Sequence, residues 1–516
     1  MSDTSFKSKR ILKNTAFLYI RMLFLLFVTL YTSRVLLDKL GFVDFGIFNL
    51  VGGIASMFVF FSSSLVNATQ RFLNVELSKG NMLKANVILN QHLILYAVIA
   101  ILVIIFAEIF GVWFIRNELQ IPLDRLDTAV WVFRFAMWSF AIVLIGIVFD
   151  SEIIAHEDMN VYSYVGLLEG VAKLVIVYII SDASIDKLFL YALLLSFVTI
   201  IAQGIYFIYS MFKYSECYIR FVFDKSILKE TGSLLGWNLV GTAVYALNDS
   251  GLNILLNMFF GPVVNAARAL SYQVNAALNN FSANIFVSVR PQIVKSYAVG
   301  DFDYLLKLFY NSSRYSFFFL FIISIPIIFN VDAILVLWQG SVPEFTGIFT
   351  ILVLTYSLVN ILTNPIWTLA LAVGRLKKYI CVGSGVFLLI FPISYFILCM
   401  DVPPYYVMFV MIAVRSVYLF VVLRIIKEYI VFTFTEYFKE VLYPIFKLVL
   451  VSLACIFALG HFVGSIDLFA SLAVQISILT ILTYYVGMSK GDRQYVLSLI
   501  KNLYMKLFKG GCKNLP

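Results

Sequence analysis

The chain has 516 residues, of which 62% are hydrophobic and only 13% charged, with a net charge of +9. A soluble domain carries about 25% charged residues, so the composition excludes a water-soluble globular protein and predicts an all-α integral membrane protein. The five cysteines (Cys217, Cys381, Cys399, Cys455 and Cys512) and three histidines (His92, His156 and His461) show no paired or metal-ligand spacing, which argues against disulfides, a metal centre or a bound cofactor.

In chain order, apolar stretches long enough to cross about 30 Å of hydrocarbon predict about fourteen transmembrane helices. They lie near 11–33, 43–67, 88–115, 128–149, 162–181, 187–212, 232–258, 264–289, 313–331, 345–373, 376–398, 404–424, 440–463 and 467–488. The start, MSDTSFKSKRILKNT, puts basic residues before an apolar run that outlasts a signal peptide's h-region and ends at no A-x-A site, so it reads as an uncleaved first span. Placing both termini inside leaves about 28 Lys and Arg on the inner side and about five outside, the asymmetry expected of cytoplasmic loops. The basic excess is therefore a match for lipid headgroups at the inner surface and not for nucleic acid. The tail KGDRQYVLSLIKNLYMKLFKGGCKN mixes Lys with Leu, Ile, Tyr and Phe at helical spacing and predicts a surface helix.

The chain also repeats itself. KRILKNT at 9–15 returns as KSILKET at 225–231, each opening a block of about 216 residues. GFVDFGIFN begins at Gly41 and GPVVNAARA at Gly261, and forty residues beyond each glycine lies the end of a hydrophilic turn, KGN at 81 and VGD at 301. Six spans per block is an even number, so the second block enters the membrane from the same side: a parallel pseudo-twofold repeat. The predicted organisation is two six-helix bundles, 1–218 and 219–430, followed by two extra helices and the basic tail over 431–516.

Within the eighth predicted span, Asn265, Arg268, Tyr272, Asn275 and Asn279 recur every three or four residues and share one helical face. An arginine facing lipid costs about 2.5–3.5 kcal/mol on insertion scales, so this face should line a wet interior. The second span carries Asn49, Gly52, Ser56, Ser63, Asn67 and Gln70 at similar spacing, and the seventh adds Asn238, Gly241, Tyr245, Asn248 and Asp249. Two bundles about a pseudo-twofold axis leave a cleft, where transporters with internal repeats place substrate.

Arg21 in the first span and Arg268 in the eighth are candidates to hold a pyrophosphate through bidentate, charge-assisted hydrogen bonds; the alternative is that each pairs with a buried carboxylate or snorkels to an interface. Asp249 is a candidate proton or sodium coupling site, with a structural salt bridge to Arg268 as the competing reading. Arg71 and Arg290 end the second helices of the two blocks at the inner face, as a cytoplasmic entrance or as positive-inside anchors. Glu108, Arg134 and Arg415 stand singly in the sequence.

The segments SLVNATQRFLNVELSKGN at 64–81, IIAHEDMNVYSYVGLLEGVAKL at 153–174, FFGPVVNAARALSYQVNAALNNF at 259–281, VSVRPQIVKSYAVGD at 287–301 and GRLKKYICVGSGVFLLIFPISY at 374–395 carry a resemblance over nearly the whole chain. It resembles the oligosaccharide flippases of the multidrug/oligosaccharidyl-lipid/polysaccharide exporter (MOP) superfamily, polysaccharide biosynthesis proteins of bacterial lipopolysaccharide and capsule clusters. The resemblance implies transfer of a polyprenyl-diphosphate-linked oligosaccharide, such as an O-antigen unit, across the inner membrane to the periplasmic leaflet. It also implies membrane lipids, glycosyltransferases and a polymerase as partners. Lipid II flippases are thought to hold pyrophosphate with arginines on helices one, two and eight. Arg21 and Arg268 look like the first and last of these, whereas the second helix has no basic residue from Phe45 to Gln70.

Three other readings compete. A drug or metabolite exporter of the same superfamily would need a carboxylate-rich cavity. A membrane glycan polymerase or ligase would need a large outer loop or a membrane histidine. A lipid scramblase would need no sugar selectivity.

Overall fold

A computed structural model of the chain describes residues 2–156, 158–220, 244, 248–374, 376–462, 467–489 and 491–494. Among these the protein is helical without strands. The first half comprises α1 (Ser2–Ser56), α2 (Val59–Ser78), α3 (Met82–Phe106), α4 (Val112–Asn117), α5 (Leu126–Ala155), α6 (Met159–Ser181) and α7 (Lys187–Lys213). A helical stretch over 248–260 leads into α8 (Pro262–Val299). Then come α9 (Phe302–Phe329), α10 (Val331–Gln339), α11 (Thr346–Asn360), α12 (Thr363–Val373), α13 (Leu376–Leu388) and α14 (Ile390–Leu398). The last are α15 (Tyr406–Ile426), α16 (Phe434–Tyr437), α17 (Tyr443–Phe462) and α18 (Leu468–Leu482).

Among the described residues, ten helical segments are long and apolar enough to span a bilayer, making the chain a multi-pass membrane protein. They coincide with the third to sixth and ninth to fourteenth predicted spans. The first, second and eighth fall on α1, α2 and α8, and the seventh lies partly outside the described residues, as does the basic tail from 495 onward.

Two boundaries differ from expectation. The predicted loop between the first two spans is helical apart from Gly41, and the predicted second span is interrupted at Met57 and Phe58, between α1 and α2. Hydropathy reports which residues tolerate lipid, and helical backbone continues through RVLLDKL because nothing in it breaks a helix.

The sequence repeat is a repeat of backbone. Gly41 and Gly261 both have φ +76. At Gly41, with ψ 176, the chain occupies a region that essentially only glycine reaches, which is how one helix can abut the next without a loop. Farther on, Gly80 and Gly300 take φ +71 and +80, and the next residue caps a new helix: Asn81 Oδ1 accepts from Lys84 N, Asp301 Oδ1 from Tyr304 N. The preceding turns close alike, Asn81 N on Glu76 O at 3.0 Å and Asp301 N on Ser296 O at 3.1 Å.

Two compact units emerge. One contains Met1–Val274, Leu335–Thr350 and Ile380–Val414; the other contains Asn275–Ile334, Ile351–Tyr379 and Arg415–Pro516. In the first, α5 is central, packed against α1, α2, α3, α6 and α7, and its Phe133, Leu144, Ile147 and Val148 are buried. Helix α1 beyond Gly41 lies so close to the start of α8 that a Cβ on Gly46 would stand 1.9 Å from the Pro262 carbonyl oxygen. In the second, α9 packs against α12, α17 and α18 around Phe309, Phe318 and Phe321. Arg314 there forms a buried ion pair with Asp492 at 2.7 Å.

Candidate functional site

The polar stripe of α8 is divided between the two units. In the first unit, Asn265 is fully buried, and its amide donates to the Asn253 backbone oxygen at 2.6 Å and side-chain oxygen at 2.9 Å. Asn253 in turn donates to the Asn49 carbonyl at 3.3 Å, while Asn49 donates to Phe45 O. Three asparagines thus join α1, the 248–260 stretch and α8 by satisfying polar groups that lipid cannot.

One turn along, Arg268 Nη2 donates to Asp249 Oδ1 at 2.6 Å and to Asp249 O at 3.1 Å, and the guanidinium lies 4.1 Å over the Tyr272 ring. The pair is asymmetric: the Arg268 side chain is 7% exposed and the Asp249 side chain 57%. Arg268 Nε is buried with no hydrogen-bond partner among the described residues, and so is Oδ1 of the adjacent Asn248, whose amide donates to Val244 O. Tyr272 Oη points to Met411 Sδ at 3.9 Å. The structure therefore brings together Asp249, Arg268 and Tyr272, with Asn248 next to Asp249 in the chain, and it contains the Asp249–Arg268 salt bridge that competed with ion coupling.

In the second unit, Asn275 Oδ1 accepts from Ser357 Oγ at 2.5 Å and from Asn279 Nδ2 at 2.9 Å. Both asparagines remain partly exposed. The side chain of Arg21 lies outside the described residues, as do those of Ser56, Ser63 and Asn67 and all of Asn238, Gly241 and Tyr245. Arg71 and Arg290 are exposed, on α2 and near the end of α8.

Sequence reasoning missed several partners. Glu108 and Arg134, single in the sequence, pair with each other, and Arg134 lies 5.0 Å over the Trp131 ring. Arg415 is buried, donates to Thr363 Oγ1 at 2.6 Å and stacks over Tyr418 at 4.6 Å. Arg125 joins Asp44 and Asp186. The two ring contacts are three residues apart on one helix, but none of the ion pairs and hydrogen bonds lies at a local helical spacing, the one signal a single sequence offers.

No protein-family model matches this chain, and no curated protein sequence matches it. Solved structures do. An inward-facing multidrug resistance MATE family transporter of the MOP superfamily superposes with a TM-score of 0.67 at 12% identity, over 78% of this chain and 94% of that one. The lipid II flippase MurJ, in an inward closed conformation, gives a TM-score of 0.69 at 13% identity over 93% of this chain and 99% of its own. The chain shares the fold of these transporters. A MOP superfamily transporter from Pyrococcus furiosus agrees, with a TM-score of 0.57 at 12% identity over 81% of this chain and 95% of that one. Within this shared fold, most of the chain left unmatched by the MATE structure is matched in the flippase structure.

Proposed function

We propose that this chain is a bacterial inner-membrane flippase with both termini in the cytoplasm, moving polyprenyl-diphosphate-linked oligosaccharide to the periplasmic leaflet for lipopolysaccharide, capsule or exopolysaccharide synthesis. The observation that carries the reading is Arg268, a buried guanidinium with a free Nε, stacked on Tyr272, whose one carboxylate partner faces solvent. An anionic head group can compete for such an arginine by offering two oxygens in place of one. Asn248, Asn275 and Asn279 would meet sugar hydroxyls, and Asn49 and Asn265 would brace the helices behind them. Arg21 would contribute the second cation, Arg71 and Arg290 the cytoplasmic entrance, and Asp249 the counter-ion that Arg268 exchanges.

Agreement with a lipid II flippase over 93% of this chain supports the choice of a lipid-linked substrate over a drug. So does the scarcity of carboxylates on the stripe. The two-bundle division at 218 and 430 is the working frame for alternating access. Outward movement of a diphosphate across an inside-negative membrane gains roughly 2.3 kcal/mol per charge per 100 mV, so export needs no further driving ion.

The test is flipping of a fluorescent polyprenyl-diphosphate oligosaccharide in proteoliposomes at a set potential. The reading expects the parent to flip and a folded Arg268→Ala variant not to. Equal rates would remove Arg268 from the mechanism. A parent that fails to flip but expels cationic dyes would transfer the chain to the drug-exporter reading.

A further inference from the structure

Away from the stripe, the end of α5 meets the segment that follows α7. Glu152 lies four residues before His156, so both sit on one face at the helix terminus, and Glu216 comes 60 residues later from the other segment. His156 Nε2 stands 2.7 Å from Glu216 Oε1 and 3.3 Å from Glu152 Oε1. One donor atom from each of the three residues falls within a 4.8 Å span.

Glu152 is the decisive member. Its side chain is 0% exposed, and although Oε1 lies 3.3 Å from His156 Nε2, neither carboxylate oxygen accepts a hydrogen bond of good geometry among the described residues. A fully buried carboxylate in that condition is costly unless a cation compensates it. His156 supplies at most one positive charge, shared between two carboxylates. A divalent cation would balance both.

The surroundings are built around this cluster. Asn86 donates to the backbone oxygens of Glu216 and Tyr218 at 2.6 and 2.7 Å, and Asn90 to Tyr218 O at 2.9 Å, so the backbone bearing Glu216 is held from α3. Ser215 Oγ donates to Glu216 Oε2, leaving Oε1 toward the histidine. The His156 ring stacks on Tyr214 at 4.0 Å and 6°, which sets its plane. Outer contacts that orient ligands in this way are a recurring part of metal sites. His156 remains 27% exposed, while Glu152 and Glu216 are 0% and 2%, so a cation has one side from which to enter.

We infer that Glu152, His156 and Glu216 bind one divalent first-row cation, of the Zn2+ or Mn2+ class, which ties the end of α5 to the segment leaving α7. One imidazole and two carboxylates suit these borderline ions. Bonds of about 2.0–2.2 Å put ligand atoms about 3–3.5 Å apart, which the 3.3 Å between His156 and Glu152 already matches and the 2.7 Å between His156 and Glu216 would reach by opening slightly. Three protein ligands leave the remaining positions to water.

The test uses full-length protein in detergent, stripped with chelator and titrated separately with Zn2+ alone and Mn2+ alone, with bound metal and melting temperature measured together. The parent should take up one equivalent of at least one ion and melt at a higher temperature with it. Glu216→Gln and His156→Gln should each bind more than about tenfold more weakly and lose the metal-dependent shift, while the exposed Glu118→Gln behaves as the parent. The metal-dependent shift separates loss of the site from poor folding, because a badly folded variant has a low melting temperature with and without metal. The inference is overturned if the parent binds no more metal than Glu216→Gln. It is also overturned if His156→Gln lowers the melting temperature equally with and without metal while the parent gains nothing, which would make the cluster an imidazolium bridge.

Discussion

Arg125 and Arg268 are both arginines paired with aspartate in the same unit, yet they are used differently. Arg125 gives Nε and Nη2 to the two oxygens of Asp44 at 2.7 and 2.5 Å and Nη1 to Asp186 at 2.6 Å. Asp186 also caps α7 by accepting from Phe189 N, so one guanidinium joins the start of α5 to α1 beyond its glycine break and to the head of α7. All three side chains are less than a third exposed. Arg268 meets a single carboxylate that is mostly in solvent, and keeps a nitrogen in hand. An arginine saturated by two carboxylates is a joint, whereas one with a spare donor and a solvated counter-ion can accept another anion without leaving a buried charge behind.

The largest effect that would break this contrast is on transport. Arg268→Ala should slow flipping of the lipid-linked oligosaccharide by about tenfold to a hundredfold, the worth of one or two hydrogen bonds to a charged group. Arg268→Lys should restore little of it, since an ammonium reproduces neither the fork nor the stacking on Tyr272. Flipping at the parental rate in both variants would make Arg268 a joint like Arg125.

Next comes stability. Arg125→Ala should leave two facing carboxylates and cost about 2–3 kcal/mol, a figure below that for fully buried pairs because the cluster is partly open to solvent. Unfolding in detergent reads it, and flipping per folded molecule should stay near the parental rate.

Asp249→Asn should cost about 1–2 kcal/mol, because the buried Arg268 loses its counter-charge while the amide oxygen and the residue 249 carbonyl can still accept from it. It should strengthen competition by free pyrophosphate in the flipping assay, because Arg268 is released. Unchanged competition would mean that Asp249 does not screen Arg268.

The smallest effect is on pH dependence. Burial opposes ionisation of Asp186, but hydrogen bonds from Arg125, the Phe189 backbone and Thr128 outweigh it and hold its carboxyl below the usual range. A carboxylate with a depressed folded pKa gives stability that is fully present above its unfolded value of about 3.9 and is lost as pH falls through the folded value. Acid unfolding below about pH 4 should therefore be less steep in Arg125→Gln than in the parent. An identical acid limb in both would exclude Asp186 as its source.

Much of the architecture is visible in the residues themselves. Helical periodicity placed Asn265, Arg268 and Tyr272 on one face, and in the structure the Arg268 guanidinium lies over the Tyr272 ring while Asn265 turns to Asn253. The paired glycines at 41 and 261 announced a backbone repeat, since a positive φ is least costly for glycine wherever it recurs. Which stripe residues are already occupied was not visible. Asn265 spends its amide on Asn253, and that contact depends on two helices meeting at a depth that no local spacing encodes.

By itself, then, the sequence determined what period and composition can express: an all-helical membrane chain, its parallel repeat, and the identity of its polar face. Only the tertiary structure decided the charge partners, joining Asp44 to Arg125 across 81 residues, Arg125 to Asp186 across 61 and His156 to Glu216 across 60. The reason is physical. A helix repeats its own neighbours every three or four residues, so local pattern reports faces, but an ion pair between helices depends on their depth and rotation relative to one another, which packing alone sets.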